Sequence, residues 1–197
     1  MQTRASSGHL FILVGPSGSG KTSLIREVCR RLSDVHFIPT ITTRKPRPGE
    51  INGREYYFVS AEEFQSLLND KGLLEWETIH GNFYGTGRRR IEAAFETGEV
   101  GITSLDVRGG VNVRRMYPRN ITTIFVLAGT VEALEARLEK RGDTADTVTR
   151  MSRVAFENSM ADQCDYELIN ASGRLDEAAE NLIGIMQKTI AISARQS

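Results

Sequence analysis

Eight residues, Gly15-Pro16-Ser17-Gly18-Ser19-Gly20-Lys21-Thr22, fit the pattern GxxxxGK[ST] and stand where an apolar run gives way to a helical one. Glycines at these spacings let backbone N–H groups turn toward a single anionic centre, and the start of a helix adds partial positive charge there. The chemistry this permits is the holding of a triphosphate. Gly15 to Thr22 would cradle it, Lys21 would reach the β/γ-phosphates and the Thr22 hydroxyl would ligate Mg²⁺. The same stretch read as a plain Gly/Ser turn would leave the Lys-Thr pair and both flanking periodicities unexplained.

The elements that position the loop are legible around it. Leu10 to Val14 read as a short buried strand, and Leu24, Ile25, Val28, Cys29 and Leu32 repeat at helical spacing over 21–32. Apolar runs and helical patterns then alternate along the chain, which predicts an α/β domain with a parallel sheet. Strands are expected over His36 to Thr43, Arg54 to Val59, Leu73 to Ile79, Val100 to Leu105, Ile121 to Leu127 and Tyr166 to Asn170. Between the second and third of these, Ser60-Ala61-Glu62-Glu63 is a capping box opening a short helix that Gly72 would stop. The strands over 54–59 and 73–79 predict a small insertion with a mixed or antiparallel sheet. Ile91, Ala94 and Phe95 mark a helix ending near Gly98. Thr130 would cap another with Leu134 and Leu138, ending at Gly142, and Val148, Met151 and Ala155 support one more. A closing helix carries Leu175, Ala178, Leu182, Ile185 and Met186, with a frayed tail expected after Lys188.

Composition narrows the partners. The chain has 197 residues, 40% hydrophobic and 25% charged, enough for one sizeable core. Lys+Arg and Asp+Glu balance at 25 each, so any polyanion site must be local, and neither a nucleic-acid nor a membrane partner is expected. Arg88-Arg89-Arg90 accordingly reads as a solvated helix start. Cys29 and Cys164 lack a Cys or His at ligand spacing and are expected to be reduced core thiols. No apolar run reaches membrane-spanning length and Met1 to Gly8 lack the apolar stretch of a leader, which gives a cytoplasmic expectation. His9, His36 and His80 show no pairing pattern and receive no role.

Four further motifs narrow the chemistry: Thr42-Thr43-Arg44-Lys45-Pro46-Arg47-Pro48-Gly49-Glu50, Asn52-Gly53-Arg54-Glu55-Tyr56-Tyr57-Phe58, Leu74-Glu75-Trp76 and Gly81-Asn82-Phe83-Tyr84-Gly85-Thr86. Taken singly, Arg44 and Arg47 fit solvated loop charges, Tyr56 and Tyr84 fit strand aromatics, and Glu75 fits a solvent-facing strand position. Taken in order and with the phosphate loop, the set resembles the guanylate kinase family from about Leu10 to about Leu182. That resemblance implies a P-loop fold with a core at 8–37, 87–136 and 165–190, a GMP-binding insertion at 38–86 and a helical lid at 137–164, all in a single domain.

The resemblance also implies roles. Arg44 and Arg47 would grip the GMP phosphate, since planar forked donors suit its oxygens. Tyr56 and Tyr84 would add hydroxyl donors there, and Glu50 would organise the loop or its arginines. Glu75 would accept the N1–H and exocyclic amine of guanine, two donors that adenine does not offer on that edge. Thr40, where the family usually has Ser, and Thr86 would bond the O6 side. Asp106, closing the strand over 100–105, resembles a Walker-B carboxylate that orients Mg²⁺ near Thr22 and borders the acceptor. Here the chain departs from the family pattern Asp-x-Asp-x-Gln-Gly: it reads Ser104-Leu105-Asp106-Val107-Arg108-Gly109. As residues two apart on a strand, Ser104 and Asp106 are expected to share a face, leaving Ser104 aimed at the acceptor. Arg141 and Arg150 match the lid arginines that reach the ATP phosphates, and Asn170 would touch the adenine. The implied reaction is Mg²⁺-dependent transfer from ATP to GMP in purine nucleotide metabolism, with Lys21, Arg44, Arg141 and Arg150 around the transferring group. Two alternatives share the fold: a kinase of another small phosphorylated substrate, and a non-catalytic guanylate-kinase-like interaction module. Nothing in the residues distinguishes monomer from homodimer.

Overall fold

In the computed structural model, which describes residues 8–79, 81–130, 134 and 154–196, two sheets are built from nine strands. The first holds β1 (His9–Val14), β2 (Val35–Phe37), β7 (Val100–Ser104), β8 (Ile121–Leu127) and β9 (Tyr166–Ile169), in the spatial order β2-β7-β1-β8-β9. All four of its pairings are parallel, for example Leu10↔Gly101 and Leu10↔Ile121. Parallel pairing forces each strand to be reached through a crossover, and the helices so placed cover both faces. The alternation of β1 shows this directly. Phe11 and Leu13 pack with Leu24, Val28, Ala179 and Leu182, which come from α1 (Lys21–Arg31) and α5 (Leu175–Gln196). Leu10, Ile12 and Val14 pack on the opposite face with Ile91, Val111 and Val113, from α3 (Arg88–Thr97) and α4 (Val107–Met116).

The second sheet is small and mixed. It contains β3 (Thr40–Thr42), β4 (Tyr56–Phe58), β5 (Leu73–Ile79) and β6 (Asn82–Gly87) in the order β4-β3-β6-β5, with α2 (Ala61–Asn69) packed against it. The β3–β4 pair is parallel and the others antiparallel, which makes the insertion's sheet mixed. The chain passes between the sheets at Ile38, whose N–H donates to the Ile102 carbonyl and whose own carbonyl accepts from the Thr103 hydroxyl. Hence the single strand expected over 36–43 is two: Pro39 and this anchoring break it into one piece per sheet.

Other boundaries differ for identifiable reasons. The capping box on α2 is present, Ser60 Oγ accepting from the Glu63 N–H and Glu63 from the Ser60 N–H. The helix ends at Asn69, however, and the left-handed position is Lys71 rather than Gly72. The helix α4 has no counterpart in the sequence reading, because Gly109 and Gly110 depress helix propensity. Packing requires them: a Cβ on Gly110 would collide with Val14 Cγ1 of β1. α5 runs on to Gln196 rather than fraying after Lys188, since Ile190 still packs on the core and the Thr189 hydroxyl donates back to the Ile185 carbonyl.

Arg88 and Arg90 are structural rather than merely solvated. Arg90 forms an ion pair with Glu99, and Arg88 donates to the Lys71 and Leu73 carbonyls and to the Tyr117 hydroxyl. Cys29 and Cys164 are free and partly buried, and burial raises both thiols, Cys164 to about 11. His9 is buried with Nε2 2.9 Å from Thr122 Oγ1, and burial pushes it down to about 4. Among the described residues no helix is long and apolar enough to cross a membrane.

Candidate functional site

Because β1, β7, β8 and β9 are parallel, their C-terminal ends share one edge, the edge where ligands of open α/β sheets gather. Val14, Ser104, Leu127 and Ile169 end there. From β1 the chain enters Gly15 to Gly20, with positive φ at Gly15 (124°), Gly18 (87°) and Gly20 (93°). These are conformations that side chains resist. At Gly15 there is also no room, since a Cβ would stand 2.7 Å from the Val126 carbonyl oxygen. Pro16, Gly18 and Ser19 are buried in the turn, and Ser17 is exposed. Lys21 Nζ closes the turn from within, donating to the Gly15 and Pro16 carbonyls at 2.5 and 2.9 Å. Thr22, exposed at the start of α1, follows directly, and no acidic residue stands in that first turn to oppose an anion.

Asn170 follows β9 and is 4% exposed. Its side-chain amide donates to the Ser19 carbonyl at 2.8 Å. The sequence signal for this bracing of the phosphate loop is an Asn at the end of a strand on the ligand edge.

The register of the small sheet assembles the second half of the site. Thr40 stands opposite Tyr56, Ile41 opposite Gly85, and Glu75 opposite Thr86. With period-two alternation, Tyr56, Thr40, Thr86 and Glu75 form one row across the four strands, and Tyr84 lies on the same face one pair further along. Five of the residues singled out from sequence therefore share a face. The opposite face takes α2, where Phe64 stacks on Phe83. Phe58, Thr42 and Glu77 also belong to the functional face. Glu77 is directly opposite Tyr84, and alternation from Glu75 was the signal that could have found it.

At the β4 edge, Arg44 and Glu50 interlock. Arg44 Nη2 donates to Glu50 Oε1 at 3.0 Å, and the Arg47 N–H donates to Glu50 Oε2 at 2.7 Å. The guanidinium lies over the Tyr56 ring, 5.3 Å from its centroid. Burial opposes the Arg44 charge, yet the Glu50 carboxylate and the Tyr84 hydroxyl hold its pKa above the usual arginine range. Burial likewise opposes ionised Glu50, and Arg44 with the Arg47 N–H brings it below the usual carboxylate range. The Arg47 side chain is exposed. Tyr56 is pushed up, chiefly by burial and then by Tyr84.

At the β5 edge, Glu75 Oε1 accepts from the Thr86 hydroxyl at 2.6 Å. Its other oxygen faces Gly109 on α4, where a Cβ would lie 2.7 Å from Glu75 Oε2. Burial raises Glu75 to about 7 against the Thr86 bond, with Asp106 and Glu77 adding repulsion. On its own the strand pattern put Glu75 in solvent; α4, unseen in the sequence, covers it.

Ser104 ends β7 and Asp106 caps α4, its Oδ1 accepting the Gly109 N–H at 3.0 Å. The strand ends at Ser104, and Asp106 is still extended, with φ −67° and ψ 164°, as the residue that caps α4. Arg108, beside it, stacks over Phe156 at 4.8 Å to the ring centroid. Arg141 and Arg150, with most of the expected lid, lie outside the described residues. Mg²⁺ asks for few protein ligands when phosphates supply the rest, and the donor set fits: an exposed hydroxyl at Thr22 and a carboxylate at Asp106, both at the ligand edge, with no cluster of three or more metal-binding side chains among the described residues.

Comparison with known proteins agrees with this geometry. The family model described as "Guanylate kinase" matches residues 7–189. The guanylate kinase of Bordetella pertussis is 43% identical over 168 residues, covering 84% of this chain and 78% of that protein. That of Thermotoga maritima is 36% identical over 182 residues, 91% and 86% of the two chains. Among solved structures, the guanylate kinase of Anaplasma phagocytophilum superposes with a TM-score of 0.75 at 25% identity, covering 93% of this chain and 86% of its own. A phosphate loop, a second sheet with one polar face and a match over nearly the whole sequence converge: the chain belongs to the guanylate kinase family and is a nucleoside monophosphate kinase.

Proposed function

We propose that this protein transfers the γ-phosphoryl group of ATP to GMP, giving ADP and GDP, in purine nucleotide metabolism in the cytoplasm. The observation that carries this reading is the shared face of the small sheet, with a cation at one edge and an acceptor-only carboxylate at the other. A nucleotide laid across the strands would place its phosphate by Arg44, Arg47, Tyr56 and Tyr84, and its base by Glu75, Thr86 and Thr40. Ionised Glu75 can accept only, so it suits the N1–H and amine of guanine. Ser104 and Asp106 would border the base from the end of β7.

The donor would occupy Gly15 to Thr22, its adenine toward Asn170. Mg²⁺, held by Thr22 and Asp106, would neutralise charge on the donor phosphates. A phosphate monoester is already largely anionic near neutral pH, so no strong general base is required. Catalysis then falls to positioning and to preorganised positive charge from Lys21, Arg44, Arg141 and Arg150. In this reading 38–86 is the acceptor insertion, 137–164 the lid and the remainder the core; every strand of the small sheet falls between Thr40 and Gly87.

Purified protein with Mg²⁺, ATP and GMP should yield GDP and ADP in equal amounts. Absence of GDP, with ATP binding intact by titration, would overturn the assignment.

A further inference from the structure

The strand that carries Glu75 is irregular at that point. Leu73 pairs with Gly87 and Glu75 with Thr86, so two steps on β5 match one on β6 and Leu74 is the extra residue of a β-bulge. The consequence for side chains is specific. Leu73 turns toward Gly85 and Phe64 on the α2 side, whereas Leu74 plugs into the core beside Val107 and Val111 of α4. A regular strand could bury one of these leucines on each side only by sending Glu75 back to the α2 side. The bulge keeps Glu75 on the acceptor face.

The carbonyl of Leu73, at the bulge, and those of Lys71 and Gly72, which lead into β5, have one partner in common. Arg88, the first residue of α3, donates Nε to the Lys71 carbonyl at 3.1 Å and Nη2 to the Leu73 carbonyl at 3.4 Å. Its N–H donates to the Gly72 carbonyl at 2.8 Å. The guanidinium is held in turn from the core: Nη1 is 3.6 Å from Glu92 Oε1 and donates to the Tyr117 hydroxyl at 3.4 Å, and that hydroxyl donates to Glu92 at 2.6 Å. Glu92 is on α3 and Tyr117 closes α4.

We infer that Arg88 is a positioning residue for base recognition: braced by Glu92 and Tyr117, it fixes the bulge at Leu74 and thereby sets where the Glu75 carboxylate meets the acceptor base. Arg88 stands outside the residues proposed to hold either nucleotide. Its effect passes through two residues of β5 to Glu75. The inference rests on the proposed reading of Glu75 as the guanine acceptor.

The test is discrimination between GMP and inosine monophosphate, which lacks the exocyclic amine and so leaves one Glu75 oxygen unpaired. For Arg88→Met we expect the kcat/KM ratio of GMP over inosine monophosphate to fall about tenfold, with KM for ATP within about twofold of wild type; a tenfold loss corresponds to about 1.4 kcal/mol. Arg88→Lys, which keeps the charge but loses the fork, should fall between the two. Should Arg88→Met lose ATP binding, Glu92→Gln carries the same test, because it removes the carboxylate that braces the guanidinium. An unchanged ratio in a variant that binds ATP normally overturns the positioning role. A wild type that does not prefer GMP instead refutes the reading of Glu75, so the two failures are distinct.

Discussion

Asn170 and Ser19 are joined by a 2.8 Å hydrogen bond across 151 residues of sequence, from the end of β9 to the carbonyl inside the phosphate loop. Breaking it should loosen the loop without touching the acceptor sheet. Asn170→Ala is expected to cost about 1–3 kcal/mol of stability, since a buried acceptor loses its donor. ATP affinity should drop about tenfold, measured by titration, and GMP binding should change much less.

Glu75→Ala should abolish most GMP turnover while ATP still binds. Losing a partner for two guanine donors is expected to lower kcat/KM for GMP by at least about a hundredfold. Titrations with each nucleotide check the split; equal losses for both would make Glu75 a structural residue.

The same carboxylate predicts a pH dependence. Burial lifts Glu75 from the ordinary 4.5 to about 7. Between those values the unfolded chain binds fewer protons than the folded one, so stability falls as pH rises from about 4.5 to 7, by roughly 3 kcal/mol at most. Glu75→Gln should remove that slope, and chemical denaturation from pH 5 to 8 measures it. Guanine donors favour the ionised form, so KM for GMP should rise as pH drops below about 7.

Glu50 spends both oxygens on the acceptor-phosphate loop, one on Arg44 and one on the Arg47 N–H. Glu50→Gln keeps the shape and loses the charge. KM for GMP should rise about tenfold, in line with the worth of charge-assisted hydrogen bonds, while the melting temperature stays within a few degrees.

Gly110→Ala tests the close approach of α4 to β1. The added methyl meets Val14 Cγ1, and overpacking of this kind costs about 1–3 kcal/mol despite the better helix propensity of Ala. A melting temperature equal to wild type would contradict the packing described.

Much of this molecule could be read from its residues, for local reasons. β5 has the bounds expected from alternation and β8 those of a buried strand, and the Ser60 capping box works by contacts three residues apart. Tyr56, Thr86, Glu75 and Tyr84 stand in the four motifs and Thr40 is implied by the family resemblance, and the sheet register brings all five to one face. What escaped was set by tertiary packing. α4 contains two glycines that local propensity penalises and that Val14 and Glu75 require. Arg88 reads as one of three solvated cations in the sequence, but its guanidinium binds the carbonyl of Leu73 at the bulge and that of Lys71 before the strand.

Thr40 and Thr86 face each other where the small sheet leaves and rejoins the main one, by the register that pairs Ile41 with Gly85. The 47 residues from Thr40 to Thr86 thus begin and end on neighbouring strands. Such a neck makes the acceptor half a cassette. It could be cut at Pro39 and Gly87 and exchanged for another whose ends lie side by side, leaving the triphosphate half to serve a different recipient.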